Sequence, residues 1–146
     1  MDNKMKLEFI SISENEKFAR TAVAAFISQL NPTLDEIEDV KAAVSEAVTN
    51  SIIHGYNETH GIIYISCELS DDFAKITIKD EGSGIEDIEL ARTPLYTGAK
   101  DSERSGLGFT VMETFMDEVT VKSSLFAGTS VTMVKKIGIK NSATEN

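Results

Sequence analysis

Cysteine and histidine are scarce in this 146-residue chain, which contains one cysteine and two histidines. A single cysteine, Cys67, excludes an internal disulfide and a cysteine-based zinc site. His54 and His60 are too few to form a metal cluster by themselves. Because Cys67 lies within an apolar, strand-like run, we expect its thiol to be buried and unreactive.

Long hydrophobic runs are also missing. No apolar run approaches the roughly 20 residues that a bilayer-spanning helix needs. The start of the chain, Met1-Asp2-Asn3-Lys4, is followed by alternating residues rather than by the apolar core of a signal peptide. We therefore expect a cytoplasmic protein that does not bind a membrane.

Basic residues are outnumbered, since 14 lysines and arginines oppose 24 aspartates and glutamates and give a formal net charge of −10. That charge repels nucleic acid at long range, so direct nucleic-acid binding is not expected. If the protein affects transcription, it should act by binding another protein, whose basic surface would be complementary. Acidity that serves only solubility is the simpler interpretation.

The chain does contain enough apolar material for one core, because 41% of its residues are hydrophobic and 26% are charged. That composition and length fit a single domain. The sequence shows no repeats, linkers or low-complexity segments. We assign residues 1–136 to this domain and expect 137–146 to form a flexible tail.

Two helices are predicted in the first half. A strand-like alternation at Met5, Leu7 and Phe9 leads into the capping-box pattern Ser13-Glu14-Asn15-Glu16, and a second box, Thr33-Leu34-Asp35-Glu36, begins a longer helix. The longer helix should end near His54-Gly55, where glycine suits a left-handed cap.

Two hairpins are predicted in the second half. The β-branched runs 62–69 and 73–79 flank a polar turn and place Asp80 at the end of the second strand. The second hairpin covers 119–121 and 129–135 and follows an apolar helix that begins near Leu107. One α+β sandwich with helices on one face of the sheet is the economical assembly.

Glu46 and Asn50 are four residues apart on the longer helix, so they share one face, which lies roughly opposite the apolar stripe. The Glu46 carboxylate could polarise an attacking hydroxyl, and the carboxamide oxygen of Asn50 could help to hold Mg²⁺. The same spacing also occurs on many exposed helices without such a role.

Asp80 is followed by Gly82 and Gly84. Its carboxylate can accept a hydrogen bond from an exocyclic amine, while the glycines let the backbone approach a flat base. Asp-x-Gly is equally ordinary turn chemistry. Gly106 and Gly108 begin an apolar helix, whose free N–H groups and dipole favour a polyphosphate. The fixed order of these features indicates an ATP site, with the polar, aperiodic segment 97–104 as its lid.

Three motifs resemble those of the GHKL superfamily of ATP-binding proteins. They are Ser45-Glu46-Ala47-Val48-Thr49-Asn50 with Ile53-His54-Gly55-Tyr56, then Asp80-Glu81-Gly82-Ser83-Gly84, and Arg104-Ser105-Gly106-Leu107-Gly108-Phe109. Over nearly its whole length the chain is most similar to the anti-sigma-factor serine kinases of Gram-positive bacteria, and among them to those of sporulation. The resemblance implies the GHKL (Bergerat) fold, a two-layer α/β sandwich with a mixed, mainly antiparallel sheet and helices on one face.

The resemblance also implies an activity. Such proteins, with ATP bound, hold a sigma factor away from RNA polymerase, and they phosphorylate a serine of an anti-anti-sigma protein, which inactivates that antagonist. Related kinases work as homodimers. The assignment to sporulation rather than to a stress pathway rests on the resemblance alone.

Residue roles follow from the same resemblance. Glu46 falls at the catalytic base, Asn50 at the Mg²⁺ ligand and Asp80 at the adenine reader. Thr129 falls near the adenine, although Ser130 would serve if the register shifted by one residue. His54 is either a phosphate contact or part of the helix end. The remaining nucleotide-binding positions belong to the ATP-lid motifs: Gly82, Gly84, Arg104, Ser105, Gly106, Leu107 and Gly108.

Two arginines have open roles. Arg104 stands where histidine kinases usually have another glycine, and it could contact the γ-phosphate or a docked partner. Arg20 is an isolated cation on the first helix, and it could pair with an acidic group of a partner or be solvated or paired locally.

Two other functions fit the same motifs. One is an ATP-gated binding module whose output is conformational change without kinase activity. The other is a detached catalytic domain of a histidine kinase, which Arg104 and the pair Glu46 and Asn50 disfavour.

Overall fold

The computed structural model describes residues 2–57, 59–92 and 108–138. Its helices are α1 (Glu14–Ile27), α2 (Leu34–Asn50), α3 (Ile88–Ala91) and α4 (Gly108–Phe115), with a 3₁₀ turn at Ser28–Leu30 and a π-helical turn at Ser51–Gly55. Its strands are β1 (Asn3–Ile10), β2 (Ile62–Ser70), β3 (Phe73–Asp80), β4 (Glu118–Ser124) and β5 (Gly128–Lys136). Both predicted hairpins are confirmed, and their strands extend up to three residues beyond the predicted runs.

The five strands form one sheet in the order β1-β2-β3-β5-β4. Each of the four described strand pairs is antiparallel. The predicted α+β class is therefore confirmed, while the expectation of a mixed sheet is wrong for the described strands. For the pairs β2 with β3 and β4 with β5, the antiparallel arrangement follows because a short hairpin turn joins the two strands.

One face of the sheet carries the core. Alternate residues of β2 and β3 are almost fully buried, as period-2 patterning requires: Ile63, Ile65, Cys67, Leu69, Ala74, Ile76 and Ile78. Helices α1, α2 and α4 pack on this face through residues such as Val23, Val44 and Met112. Cys67 is buried as predicted, and burial raises the pKa of its thiol to about 12.

Only one of the two predicted capping boxes forms. Thr33 accepts from the Glu36 N–H, and the Glu36 side chain accepts from the Thr33 N–H at 2.8 Å, so the second box is confirmed. At Ser13 the predicted box is wrong, because the residue has helical backbone angles and makes no side-chain cap bond. Its carbonyl oxygen accepts from the Glu16 N–H instead, which satisfies that donor without the hydroxyl.

The predicted left-handed cap at Gly55 is also wrong. Helix α2 continues into the π-helical turn, and the left-handed residue that follows is Asn57, with φ of 51°. Gly55 has a spatial role instead, because a Cβ added there would lie 2.9 Å from the Asp80 carboxyl carbon. The loop after α2 is thus shaped by its contact with Asp80.

The C-terminal boundary lies beyond the predicted residue 136. Ile137 is only 2% exposed and belongs to the core, and its N–H donates to the Asp72 carbonyl at 2.8 Å. The Gly138 N–H donates to Glu36 Oε2 at 3.0 Å. The first two residues of the predicted tail are therefore anchored, and the rest of it lies outside the described residues. Across the described ranges, no helix combines the length and apolar character needed to cross a membrane.

Candidate functional site

The site is built where α2 and its π-helical turn meet the end of β3. Ser51, the first residue of the turn, and Asp80, the last residue of β3, are 5% and 2% exposed. The Ser51 hydroxyl donates to Asp80 Oδ2 at 2.7 Å, and the Gly82 N–H donates to Asp80 Oδ1 at 2.9 Å. Each carboxylate oxygen keeps a further lone pair, so Asp80 can accept one more donor, such as the amino group of a base.

Thr129 lies beside Asp80 on the same face of the sheet. The two residues are directly paired across β3 and β5, whereas Ser130 is paired with Lys79 and projects from the opposite face. The Thr129 hydroxyl lies 2.8 Å from Ser123 Oγ, and this contact ties it to β4. Of the two hydroxyls that the sequence left open, the structure brings Thr129 to Asp80.

Gly82 and Gly84 are required by the protein's own backbone. A Cβ added to Gly82 would lie 2.0 Å from the Gly55 carbonyl oxygen, and one added to Gly84, with φ of +78°, would lie 2.0 Å from the Ser124 carbonyl oxygen. No larger residue fits either position without a shift of the chain. These contacts with the π-helical turn and the end of β4 account for both glycines, and the approach to a flat base stays a prediction.

Glu46 and Asn50 lie on one half-buried face of α2, as predicted. A Cβ added to Gly108 would lie 3.1 Å from Asn50 Nδ2 and 3.4 Å from Glu46 Oε1. Gly108 begins α4, which packs against α2, so the first and third motifs meet at this point. A carboxylate, a carboxamide and a helix N-terminus thus share one small region.

The His54 carbonyl contacts the loop after β3, whereas Arg20 is paired within α1. His54 sits in the π-helical turn, where its carbonyl accepts from Ser83 Oγ at 3.0 Å. Arg20 forms an ion pair with Glu16, one turn earlier on α1, at 3.1 Å. The local pairing of Arg20 weighed from the sequence is therefore present. Arg104, Ser105, Gly106, Leu107 and the lid 97–104 fall outside the described residues.

Two site residues were missed by sequence reasoning. Ser51 was given no role, although it immediately follows Asn50, and Tyr56 was quoted only as part of a motif. The Tyr56 hydroxyl accepts from the Glu81 N–H at 2.8 Å and donates to the Ile62 carbonyl at 2.6 Å. The sequence could have singled out Ser51 by its position at the end of α2. It could not have identified the partner of Ser51, because Asp80 is 29 residues away.

These residues fit a nucleotide with Mg²⁺. Carboxamide and carboxylate oxygens, as in Asn50 and Glu46, are ligands that Mg²⁺ prefers. The space between these two side chains and the backbone of Gly108 is open only because residue 108 has no side chain. The buried Asp80 carboxylate supplies an acceptor for a base. We therefore call the Asp80 region the proposed base-reading end and the region of Asn50 and Gly108 the proposed phosphate end.

Comparison with known proteins identifies the family. Anti-sigma F factor of Clostridium novyi is 62% identical over 136 residues, which cover 92% of this chain and 95% of that protein. Anti-sigma F factor of Oceanobacillus iheyensis is 60% identical, with 94% of each chain covered. That of Clostridium botulinum strain Alaska E43 is 63% identical and covers 94% of this chain and 97% of its own. This chain belongs to the anti-sigma F factor family.

The domain and the fold agree with that membership. Residues 13–135 match the model of the histidine kinase-like ATPase domain, so this chain has an ATP-binding domain of the expected superfamily. Among solved structures, the histidine kinase domain from the Erythrobacter litoralis EL346 blue-light activated histidine kinase superposes with a TM-score of 0.60 at 14% identity, over 90% of this chain and 65% of that one. A second structure of that kinase gives 0.59 at 15% identity, over 84% and 42%. These two likenesses concern the fold alone.

Proposed function

We propose that this chain is an ATP-dependent anti-sigma factor that sequesters a sporulation sigma factor from RNA polymerase. We propose also that it is a protein serine kinase, which phosphorylates and inactivates an anti-anti-sigma protein. The observation that carries the proposal is the meeting of Glu46, Asn50 and Gly108 at one end of a site whose other end is the buried Asp80. Family membership supports the anti-sigma part of the proposal.

Glu46 is the proposed general base for transfer. The hydroxyl oxygen of the acceptor serine forms a bond to the γ-phosphorus of ATP, the bond from that phosphorus to the β-γ bridging oxygen breaks, and ADP leaves. The serine proton passes to the Glu46 carboxylate. Because Glu46 stands on a helix rather than a loop, its distance from Asn50 is fixed by the helical repeat.

Asn50 is the proposed protein ligand of Mg²⁺. When bound, the ion would neutralise charge on the phosphates. Gly108, as the first residue of α4, would present its helix N-terminus to those phosphates, and the positions outside the described residues, Arg104, Ser105, Gly106 and Leu107, are proposed to complete the phosphate contacts. Asp80 would accept from the adenine amino group, with Thr129 beside it.

The proposed partners are a sigma factor, an anti-anti-sigma protein and a second copy of the chain, in the cytoplasm. Arg20 is retained as a partner contact, and its ion pair with Glu16 is partly exposed and weak enough to be exchanged. Sedimentation of the purified protein would test the homodimer, since a monomer at micromolar concentration would remove it from the proposal.

The kinase is tested by incubation of the protein with γ-labelled ATP, Mg²⁺ and an anti-anti-sigma protein, followed by acid treatment and phosphoamino-acid analysis. We expect acid-stable label on serine. Acid-labile label would indicate histidine chemistry, and ATP binding without transfer to protein would favour the ATP-gated binding module.

Sequestration is tested separately. The affinity for the sigma factor, measured by surface plasmon resonance, should be higher with ATP than without nucleotide, because the partner surface would follow the nucleotide state. Equal affinities under both conditions would remove the dependence on ATP.

A further inference from the structure

Tyr56 is placed to control the loop that reads the base. Its hydroxyl is bonded to two backbone groups from different parts of the chain, the N–H of Glu81 and the carbonyl of Ile62, at 2.8 and 2.6 Å. Glu81 lies between Asp80 and Gly82, so this bond fixes the peptide that follows the proposed adenine acceptor. A phenol can accept one hydrogen bond and donate another at once, which a phenylalanine at this position could not do.

The ring of Tyr56 is also in close contact with the rest of the chain. A Cβ added to Gly61 would lie 2.3 Å from Tyr56 Cε1, so the ring lies directly against that residue. The Tyr56 N–H closes the π-helical turn by donating to the Ser51 carbonyl at 2.9 Å. Tyr56 is therefore held at its backbone and along its ring, and the position of its hydroxyl is set by both.

The next two N–H groups of the loop are also bonded within the protein. The Gly82 N–H donates to Asp80 Oδ1 at 2.9 Å, and the Ser83 N–H donates to the Gly55 carbonyl at 2.7 Å. Together with the bond from Glu81 to Tyr56, three consecutive amides are satisfied within the protein. A loop ordered in this way loses little conformational freedom when a ligand binds.

We propose that Tyr56 is a positioning residue for nucleobase recognition, acting through the Glu81 amide to hold the Asp80 carboxylate in the orientation that accepts the 6-amino group of adenine. The inference rests on the proposed function, since it requires Asp80 to read that amino group. Burial raises the pKa of Tyr56, so its hydroxyl keeps its proton and both hydrogen bonds at neutral pH.

The test uses Tyr56→Phe in the full chain and compares two nucleotides by calorimetric titration: ATP, and purine riboside triphosphate, which lacks the 6-amino group. The wild type should bind ATP more tightly than the analogue. In Tyr56→Phe the dissociation constant for ATP should rise about three- to tenfold, while that for the analogue should stay within about twofold.

Tyr64→Phe is the matched control. The Tyr64 hydroxyl also contacts Glu81, but it meets the side-chain atom Oε1 at 3.3 Å rather than the backbone. This variant loses the same atom from the same residue type and should leave the preference for ATP unchanged.

Equal losses for both nucleotides in Tyr56→Phe, or no loss for either, would overturn the inference and leave the proposed function standing. A wild type that does not distinguish ATP from the analogue would contradict the base reader itself, and the inference with it. Hydrogen exchange provides a test without any variant: the Glu81 amide should be protected in the nucleotide-free wild type, and rapid exchange there would also overturn the inference.

Discussion

The two ends of the site are built differently. At the base-reading end, Asp80 is 2% exposed, and both of its carboxylate oxygens accept hydrogen bonds from within the protein. At the phosphate end, Glu46 and Asn50 are half-buried on a helix face, and their meeting with Gly108 depends on the packing of α4 against α2. One end is thus fixed by hydrogen bonds from the π-helical turn and from the loop after β3, and the other by the packing of two helices.

Because the two ends differ, ATP binding and phosphoryl transfer should be separable by mutation. Under the proposed function, damage to the base-reading end would remove a hydrogen bond to ATP in both its bound and reacting states, so it should weaken binding. Damage to the phosphate end removes a group that acts during transfer, so it should lower the rate while binding persists.

The largest effect is expected for Glu46→Ala. Phosphoryl transfer to the anti-anti-sigma protein should fall about 10²–10⁴-fold, which is typical for the loss of a general base, while the dissociation constant for ATP stays near that of the wild type. Single-turnover transfer and calorimetric titration measure the two quantities. Glu38→Ala is the control, because Glu38 lies on the same helix and its side chain is 63% exposed beside Lys41. Normal transfer by Glu46→Ala would remove Glu46 as the base.

Asp80→Asn should weaken ATP binding about 10- to 100-fold. The amide that replaces the carboxylate turns its NH₂ group toward either the Gly82 N–H, where two donors meet, or the Ser51 hydroxyl. In both cases one acceptor oxygen is lost from a buried place. The dissociation constant for ATP is the measurement. Asp71→Asn serves as the matched control, since Asp71 lies in the exposed β2–β3 turn with φ of 56°, which asparagine also adopts. Equal affinities in Asp80→Asn and the wild type would contradict the base reader.

Gly108→Ala should lower transfer about tenfold and ATP affinity less. Its Cβ would stand 3.1 Å from Asn50 Nδ2, so the Asn50 side chain must move by a few tenths of an ångström, and 3.4 Å from Glu46 Oε1, in van der Waals contact. Proximity-dependent chemistry does not tolerate such a displacement of Asn50 well. Thr114→Ala, at an exposed position of the same helix, controls for a change in α4 itself. If Gly108→Ala transfers phosphate at the wild-type rate, Gly108 does not belong to the phosphate end.

The smallest effect is expected for Thr129→Val, with a loss of ATP affinity of about two- to fivefold. The paired variant Ser130→Val changes the same chemistry on the neighbouring residue, which projects from the other face of the sheet. A greater loss in Ser130→Val than in Thr129→Val would mean that the hydroxyl near the base belongs to Ser130.

The sequence predicted the parts of the fold that depend on local pattern. β-branched runs around a polar turn predicted β2 and β3, and Thr33 with Glu36 predicted the start of α2, because these signals need only neighbours along the chain. It failed at Gly55 and Ile137, whose states depend on contacts with Asp80 and Asp72. Local propensity does not contain such distant contacts.

The candidate site also has a part that local pattern predicts and a part that depends on distant contacts. Glu46, Asn50 and Asp80 are recognisable because their motifs are contiguous, but the hydrogen bonds of Ser51 and Tyr56 to the Asp80–Glu81 region span 29 and 25 residues. The glycines Gly82 and Gly84 were singled out correctly as special, yet the atoms that exclude a side chain there, the carbonyls of Gly55 and Ser124, become visible only in the folded chain.

The most direct test of the account is a crystal structure of the protein with Mg²⁺ and a non-hydrolysable ATP analogue. We expect the adenine amino nitrogen within about 3.2 Å of an Asp80 carboxylate oxygen, and the triphosphate between Asn50 and the N-terminus of α4. A base bound elsewhere, or phosphates that avoid Asn50 and Gly108, would contradict the central claim that these two ends form one ATP site.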